Sequence, residues 1–89
     1  MSKTIYRAEY RRLLDVLRER RMTQGLSQAS VAGALGWRQQ KLSASESGAR
    51  RLDVLEFIEL AGVLQLSPTR ALDLASHHMR DVQKRNRKS

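Results

Sequence analysis

Residues that start and stop helices recur along this chain and divide it into short helical segments. Ser27 is suited to cap a helix, because its hydroxyl can accept a hydrogen bond from a free backbone N–H in the first turn. Gly36 is suited to end that helix, because glycine tolerates the positive φ that often follows a last turn. Asp53 and Glu56 have the spacing of a capping box, which starts another helix. These signals favour an all-α chain.

The apolar spacing between the signals predicts five helices and no strand. Pro68 directly follows a capping serine, Ser67, and proline at a first helical position sets φ without removing a needed donor. The predicted helices cover about Tyr6 to Met22, Gln28 to Leu35, Gln39 to Ser47, a segment starting at Asp53, and a segment starting at Pro68.

Apolar residues spaced three and four apart mark the inward faces of the last two predicted helices. On the fourth helix the predicted inward stripe is Leu55, Ile58, Ala61 and Leu64. On the fifth helix the stripe is Leu72, Ala75, Met79 and Val82. The second stripe fits either the core or a dimer contact, and the dimer contact is the favoured interpretation.

Length and composition limit the class of protein. The chain has 89 residues, enough for one domain, which we place at residues 1–83, followed by a basic tail at 84–89. It has no cysteine, which excludes a disulfide scaffold and a thiolate site. No apolar run is long enough to cross a bilayer and the N-terminus lacks a secretory signal, so no membrane association and a cytoplasmic location are expected.

The net charge indicates a polyanionic partner. The chain carries 17 Lys and Arg against 9 Asp and Glu, a formal net charge of +8. The excess is concentrated in the first fifty residues and in the last ten, whereas residues 51–79 are slightly acidic. Nucleic acid, an acidic membrane surface and an acidic protein all fit this excess of positive charge.

Three small or apolar residues suggest that two short helices cross sharply within residues 28–47. Ala32 is small enough to let the helices approach closely, and Gly36 allows a tight turn between them. Leu42 would anchor the underside of the second helix in the core. This is a helix-turn-helix arrangement, in which the second helix can lie in the major groove of DNA.

The segment GLSQASVAGALGWRQQKLSASESG resembles the phage repressor and Cro-type helix-turn-helix family, also called the XRE family. The likeness continues through ARRLDVLEFIELAGVLQLSP and covers about residues 10–70. It implies a compact, five-helix, lambda-repressor-like DNA-binding domain whose helix-turn-helix occupies residues 28–47. Double-stranded DNA is then the expected partner.

The resemblance also implies roles for individual residues. The implied base-reading residues are Gln39, Gln40, Lys41 and Ala44. The implied phosphate-binding residues are Gln28, Arg38, Ser43, Ser47, Arg50 and Arg51. An ion pair between Arg21 and Glu46 would lock the first helix to the third, and the implied core of the motif is Ala32, Gly36 and Leu42. A glutamine amide suits adenine, because it can donate and accept in one bidentate contact in the major groove.

Two residues depart from the family's pattern. Ser45 stands where the family usually has a buried apolar side chain, so its hydroxyl must either bond a backbone carbonyl or leave the joint less well packed. Arg38 stands where a Ser or Thr cap is common, which predicts weaker capping of the recognition helix.

The expected function is that of a dimeric repressor that binds a two-fold operator. An antitoxin-type regulator that also binds a partner toxin is the alternative, and a non-specific nucleic-acid packager is a third possibility. No catalytic residues, cofactor or metal site are predicted, since the chain lacks a phosphate-binding glycine-rich loop. The adjacent His77 and His78 would point in different directions on a helix, so they are not expected to hold one metal.

Overall fold

Five helices connected by short turns form the part of the protein that the computed structural model describes, residues 2–76, with side chains from residue 8 onward. No strand occurs among those residues, so the predicted all-α class is confirmed. The helices are α1 (Ser2–Thr23), α2 (Gln28–Leu35), α3 (Gln39–Ser47), α4 (Val54–Val63) and α5 (Pro68–Ala75). Helix α1 therefore begins four residues before the predicted Tyr6.

The predicted start signals act as helix caps. The Ser27 hydroxyl accepts a backbone N–H from the first turn of α2 at 3.0 Å, and the Ser67 hydroxyl does the same for α5 at 3.4 Å. At α4 the Asp53 carboxylate accepts the Glu56 N–H at 2.7 Å, and the Glu56 carboxylate accepts the Asp53 N–H at 3.1 Å. The capping box is thus complete, which explains why a short helix begins at that point.

The core lies where α1, α2, α3 and α4 meet, with α5 closing one side. Leu42 from the middle of α3 is fully buried, and Leu17 of α1 is 2% exposed. The buried residues of this cluster are Leu17, Val31, Ala32, Leu42, Phe57, Leu60, Leu64 and Ala71. All four of the other helices supply residues to the cluster that contains Leu42, so α3 is held from beneath.

The inward face predicted for α4 is wrong in part. Leu55 is 72% exposed and Ile58 is 46% exposed, whereas Phe57 and Leu60 are buried. Ala61 and Leu64, the other two members of the predicted stripe, are buried. Most positions of α4 are apolar, so the helical period fits two different faces, and packing against α2 and α5 selects the one that carries Phe57.

Helix α5 presents both buried and exposed apolar residues. Ala71 and Ala75 are buried, whereas Leu72 is 50% exposed and Leu74 is 38% exposed. Of the predicted stripe on this helix, Leu72 is therefore mainly outside the core. Residues 77–89 lie outside the described residues, and with them the predictions for His77, His78, Met79, Val82 and the 84–89 tail.

Arginines of α1 cap the ends of three other helices. Arg11 donates to carbonyls at the end of α3 at 2.9 and 3.0 Å, and Arg20 donates to carbonyls after α4 at 3.0 and 2.8 Å. Arg12 donates to the last carbonyl of α5 at 3.2 Å. A cation at a helix C-terminus satisfies unpaired carbonyls and opposes the negative end of the helix dipole. Part of the positive charge of α1 is therefore structural.

No helix within residues 2–76 is long and apolar enough to cross a membrane.

Candidate nucleic-acid interface

Helices α2 and α3 are joined by a tight turn at Gly36. This glycine has φ 74°, and its N–H bonds the Gly33 carbonyl at 3.2 Å while the Trp37 N–H bonds the Ala32 carbonyl at 2.9 Å. These two bonds close the end of α2 as a Schellman motif. The structure places Ala32 and Leu42 in the core, 2% and 0% exposed. The turn and these two contacts fix the angle at which α3 leaves α2.

The outer face of α3 is polar and uncharged. Gln39, Gln40 and Ser43 are exposed, and Ala44 is half-buried beside them. Together with Gln28 from α2 they line one open, shallow depression. Amide groups that both donate and accept, next to a methyl group, are the chemistry that discriminates base edges in the major groove. Three of the four predicted base-reading residues are thus brought together here.

Lys41, the fourth predicted base-reading residue, does not point outward as expected. Its Nζ lies 3.1 Å from a carboxylate oxygen of Glu56 and 4.3 Å from the centre of the Trp37 ring. The side chain is 33% exposed. The pattern of α3 could not show this, because Glu56 comes from α4, fifteen residues further along the chain.

Glu56 also binds Arg50, in the loop after α3. The two carboxylate oxygens accept two N–H groups of the Arg50 guanidinium at 2.9 and 2.7 Å, a bidentate pair. These bonds, the backbone N–H of Asp53 and the Lys41 ammonium lower the pKa of Glu56 from 4.5 to about 2. The guanidinium of Arg50 is therefore already paired with a carboxylate, although its side chain is 37% exposed.

A second ion pair lies beneath the depression. The Arg21 guanidinium donates to both Glu46 carboxylate oxygens at 2.6 and 3.1 Å, and the two side chains are only 11% and 7% exposed. The Gln28 amide donates to the same carboxylate at 2.9 Å, and Arg21 also donates to the Leu26 carbonyl at 2.8 Å. The structure thus contains the pair implied by the resemblance. It ties α1, α2 and α3 together directly under the polar face.

The remaining candidate phosphate contacts differ in how free they are. Arg38 is exposed at the start of α3, and among the described residues it provides no side-chain cap for that helix. Arg51 is exposed, with its guanidinium 5.7 Å from the Tyr10 ring centre. The Ser47 hydroxyl is used locally, since it donates to the Ala44 carbonyl at 3.1 Å. Arg38 and Arg51 are the two cations that flank α3 without a carboxylate partner among the described residues.

The buried hydroxyl of Ser45 has a hydrogen-bond acceptor within its own helix. The side chain is fully buried, and its hydroxyl donates to the Lys41 carbonyl at 2.8 Å. Of the two outcomes open from the sequence, a bond to a backbone carbonyl is therefore the correct one. A serine that bonds four residues back needs no other partner to be buried.

Two residues of the site were missed by the sequence analysis. The spacing of Glu56 indicates only a helix cap, and no pattern in the sequence indicates that Arg11 supports the end of α3. The contacts of Arg11 with the end of α3 and of Glu56 with Lys41 join residues at least fifteen apart in the sequence, so no local spacing could have revealed them.

Comparisons with known proteins agree on one family. A profile of the family described as "Helix-turn-helix domain" matches residues 10–75. A solved structure of an XRE-family like protein from Pseudomonas syringae pv. tomato str. DC3000 superposes with a TM-score of 0.82 at 36% sequence identity. That match covers 86% of this chain and 94% of the other chain. A search of the curated proteins gave no match.

Proposed function

The chain belongs to the XRE-type family of helix-turn-helix DNA-binding regulators, and from this premise we propose that it is a repressor that binds a two-fold operator as a homodimer. Regulators of this fold are typically non-enzymatic, and the proposal requires no catalytic residue and no cofactor. Repression would follow from occupation of promoter DNA.

The observation that carries the proposal is that one side of α3 is buried in the core while the other side is polar and exposed. Its inner side is buried through Leu42, Ser45 and Glu46, whereas Gln39 and Gln40 are exposed at its first turn. A helix supported in this way can enter the major groove as a rigid element. The glutamine amides would then meet base edges, with the Ala44 methyl group positioned for a thymine methyl group.

Phosphate contacts would set the position of α3 on the duplex. Arg38 and Arg51 are exposed on either side of the helix, and Ser43 is exposed on its outer face. Such contacts supply affinity that does not depend on sequence, whereas the glutamines supply discrimination. Gln28 lines the same depression and is proposed to contact a phosphate next to Gln39.

Exposed apolar side chains support self-association. Leu72 and Leu74 project from α5, and larger exposed fractions occur at Val54 and Leu55 on α4. Exposed apolar side chains are typical of a protein interface where they form one contiguous patch. A two-fold dimer would place two copies of α3 about 34 Å apart, which is one turn of DNA.

The same apolar residues would also suit a toxin in an antitoxin-type regulator. Copurification of a small protein at one-to-one stoichiometry would favour that alternative over the homodimer.

The first experiment is a selection of double-stranded DNA from a random pool, near physiological salt, where phosphate binding alone is weak. We expect a two-fold motif whose half-sites are one helical turn apart. A folded protein that enriches no motif would contradict the proposal and favour a protein partner or a packaging role.

A pair of variants then separates base reading from phosphate binding. Gln39→Ala should reduce discrimination at one or two base pairs of each half-site by roughly 1–3 kcal/mol. Arg51→Ala should instead weaken binding to all sequences and lower the slope of log K against log salt by about one. Unchanged sequence preference in Gln39→Ala would mean that α3 does not read the bases.

A further inference from the structure

One carboxylate, that of Glu56, holds two cations: Lys41 of α3 and Arg50 of the loop between α3 and α4. Glu56 Oε2 is 3.1 Å from Lys41 Nζ and 2.7 Å from an Arg50 guanidinium nitrogen, and Oε1 accepts from Arg50 at 2.9 Å. Oε1 also accepts the backbone N–H of Asp53 at 3.1 Å. We call Lys41, Arg50 and Glu56 the Glu56 junction. Its two cations share a single negative charge.

The Lys41 ammonium is restrained a second time by Trp37. It lies 4.3 Å from the ring centre, within the range of a cation–π contact. The side chain of Lys41 is therefore held by α4 and by the turn before α3 at once. A lysine on α3 without these contacts would extend its flexible stem into solvent next to Gln40.

We propose that Glu56 is a specificity-determining positioning residue that holds Lys41 and Arg50 against the domain, so that DNA meets an uncharged reading face on α3. The proposal rests on the proposed function. A mobile lysine beside the reading face would attract any phosphate, whereas a glutamine amide forms its hydrogen bonds only with particular bases. Restraining the lysine thus lowers binding to random DNA more than binding to the operator, and raises the ratio between them.

The decisive variant is Glu56→Gln, with Glu59→Gln as its matched control. Both substitutions lie on α4 and both raise the net charge by one, but Glu59 is exposed and lies outside the junction. A glutamine at position 56 can still accept the Asp53 N–H, so the helix cap is retained. Circular dichroism and the melting temperature would show that both variants fold.

Binding to a random-sequence duplex is the first readout, measured over a range of salt concentrations. Each freed cation that reaches a phosphate should steepen the slope of log K against log salt by about 0.9. We expect the salt slope of Glu56→Gln to exceed that of Glu59→Gln by about 0.9 if one cation is freed, and by twice that if both are freed. Near 0.15 M salt, the affinity of Glu56→Gln for random DNA should be higher by roughly fivefold for each freed cation. Adding Lys41→Met to Glu56→Gln should lower the salt slope by about 0.9 again, whereas Lys41→Met alone should leave the wild-type slope unchanged.

Trp37 gives a second readout that needs no DNA. It is the one tryptophan of the chain, and the Lys41 ammonium lies 4.3 Å from its ring centre, so its fluorescence should respond when that ammonium moves away. The emission should change in Glu56→Gln and stay at the wild-type value in Glu59→Gln.

Two results would overturn the inference. Equal salt slopes for the two glutamine variants would mean that Glu56 acts only as a helix cap. Weaker binding with a shallower slope in Glu56→Gln would mean that the junction presents its cations to phosphates instead of withholding them. Because random DNA is used, this comparison holds whether or not a selection finds an operator, so failure of the inference is distinguishable from failure of the proposed function. With an operator in hand, its preference over random DNA should fall in Glu56→Gln.

Discussion

At the scale of single residues, the partner of a charged side chain decides its role. Arg11 and Arg21 are both arginines of α1, yet one caps the end of α3 and the other forms a buried ion pair. Arg38 and Arg51 have the same charge and are exposed beside the candidate reading face. The net charge therefore overstates the number of cations that are free for DNA.

The two ion pairs of α1 should differ sharply in their contribution to stability. Glu46→Ala leaves Arg21 nearly buried without its carboxylate, and we expect a loss of about 3 kcal/mol in the free energy of unfolding. Asp15→Ala removes the exposed partner of Arg11 and should cost less than about 0.5 kcal/mol. Both changes alter the net charge equally. Urea unfolding followed by circular dichroism tests the contrast, and equal losses would refute it.

At the scale of the element, α3 lacks a side-chain N-cap but is anchored in the core by its buried residues. Arg38 occupies the N-cap position with an extended backbone, φ −70° and ψ 148°, but its side chain makes no cap hydrogen bond among the described residues. Helices α2, α4 and α5 all have a side-chain cap. Helix α3 thus depends on Leu42 and the Arg21–Glu46 pair for its position, rather than on its own first turn.

Arg38→Ser should make the domain more stable and its DNA binding weaker. The backbone at this position already suits a capping serine, so we expect a gain of about 1 kcal/mol in the free energy of unfolding. Loss of the proposed phosphate contact should lower the salt slope of DNA binding by about 0.9.

Arg38→Ala is the matched control for this prediction. It removes the same charge without adding a cap, so it should show the weaker DNA binding and no gain in stability. If Arg38→Ser bound DNA as tightly as the wild type, Arg38 would have no role in phosphate contact.

At the scale of the whole molecule, the Glu56 carboxylate links side chains and backbone from three successive segments of the chain. Through Lys41, Arg50 and Asp53 it joins α3, the loop after it and the start of α4. Those contacts hold for the ionised carboxylate, which is why the pKa of Glu56 is lowered to about 2.

The stability of the domain should therefore depend on Glu56 in acid. A carboxyl group whose pKa is lower in the folded state stabilises the fold fully above its unfolded pKa, near 4.5, and loses that contribution as the pH falls towards 2. We expect the free energy of unfolding to fall between these pH values in the wild type and in Glu59→Gln, and to fall less in Glu56→Gln. Urea titrations at pH 6, 4 and 3 measure this difference, and parallel losses in all three proteins would contradict it.

The sequence by itself determined the five helices, their caps and the turn at Gly36, because these features depend on residues within one helical turn of each other. The sequence also places Gln39, Gln40 and Ala44 on one predicted helix, α3. The tertiary structure alone decided which face of α4 is buried, since Leu55 and Phe57 are equally apolar and only the packing of α2 and α5 distinguishes them.

The same holds for the charges around α3. Lys41 could extend into solvent or fold back, and the choice depends on a carboxylate fifteen residues away that only the packed fold brings within 3.1 Å. Long flexible side chains take their partners from whatever the fold places beside them, whereas the N-terminal helix caps take theirs from the next few residues. That difference in range separates what the sequence determined from what only the tertiary structure decided.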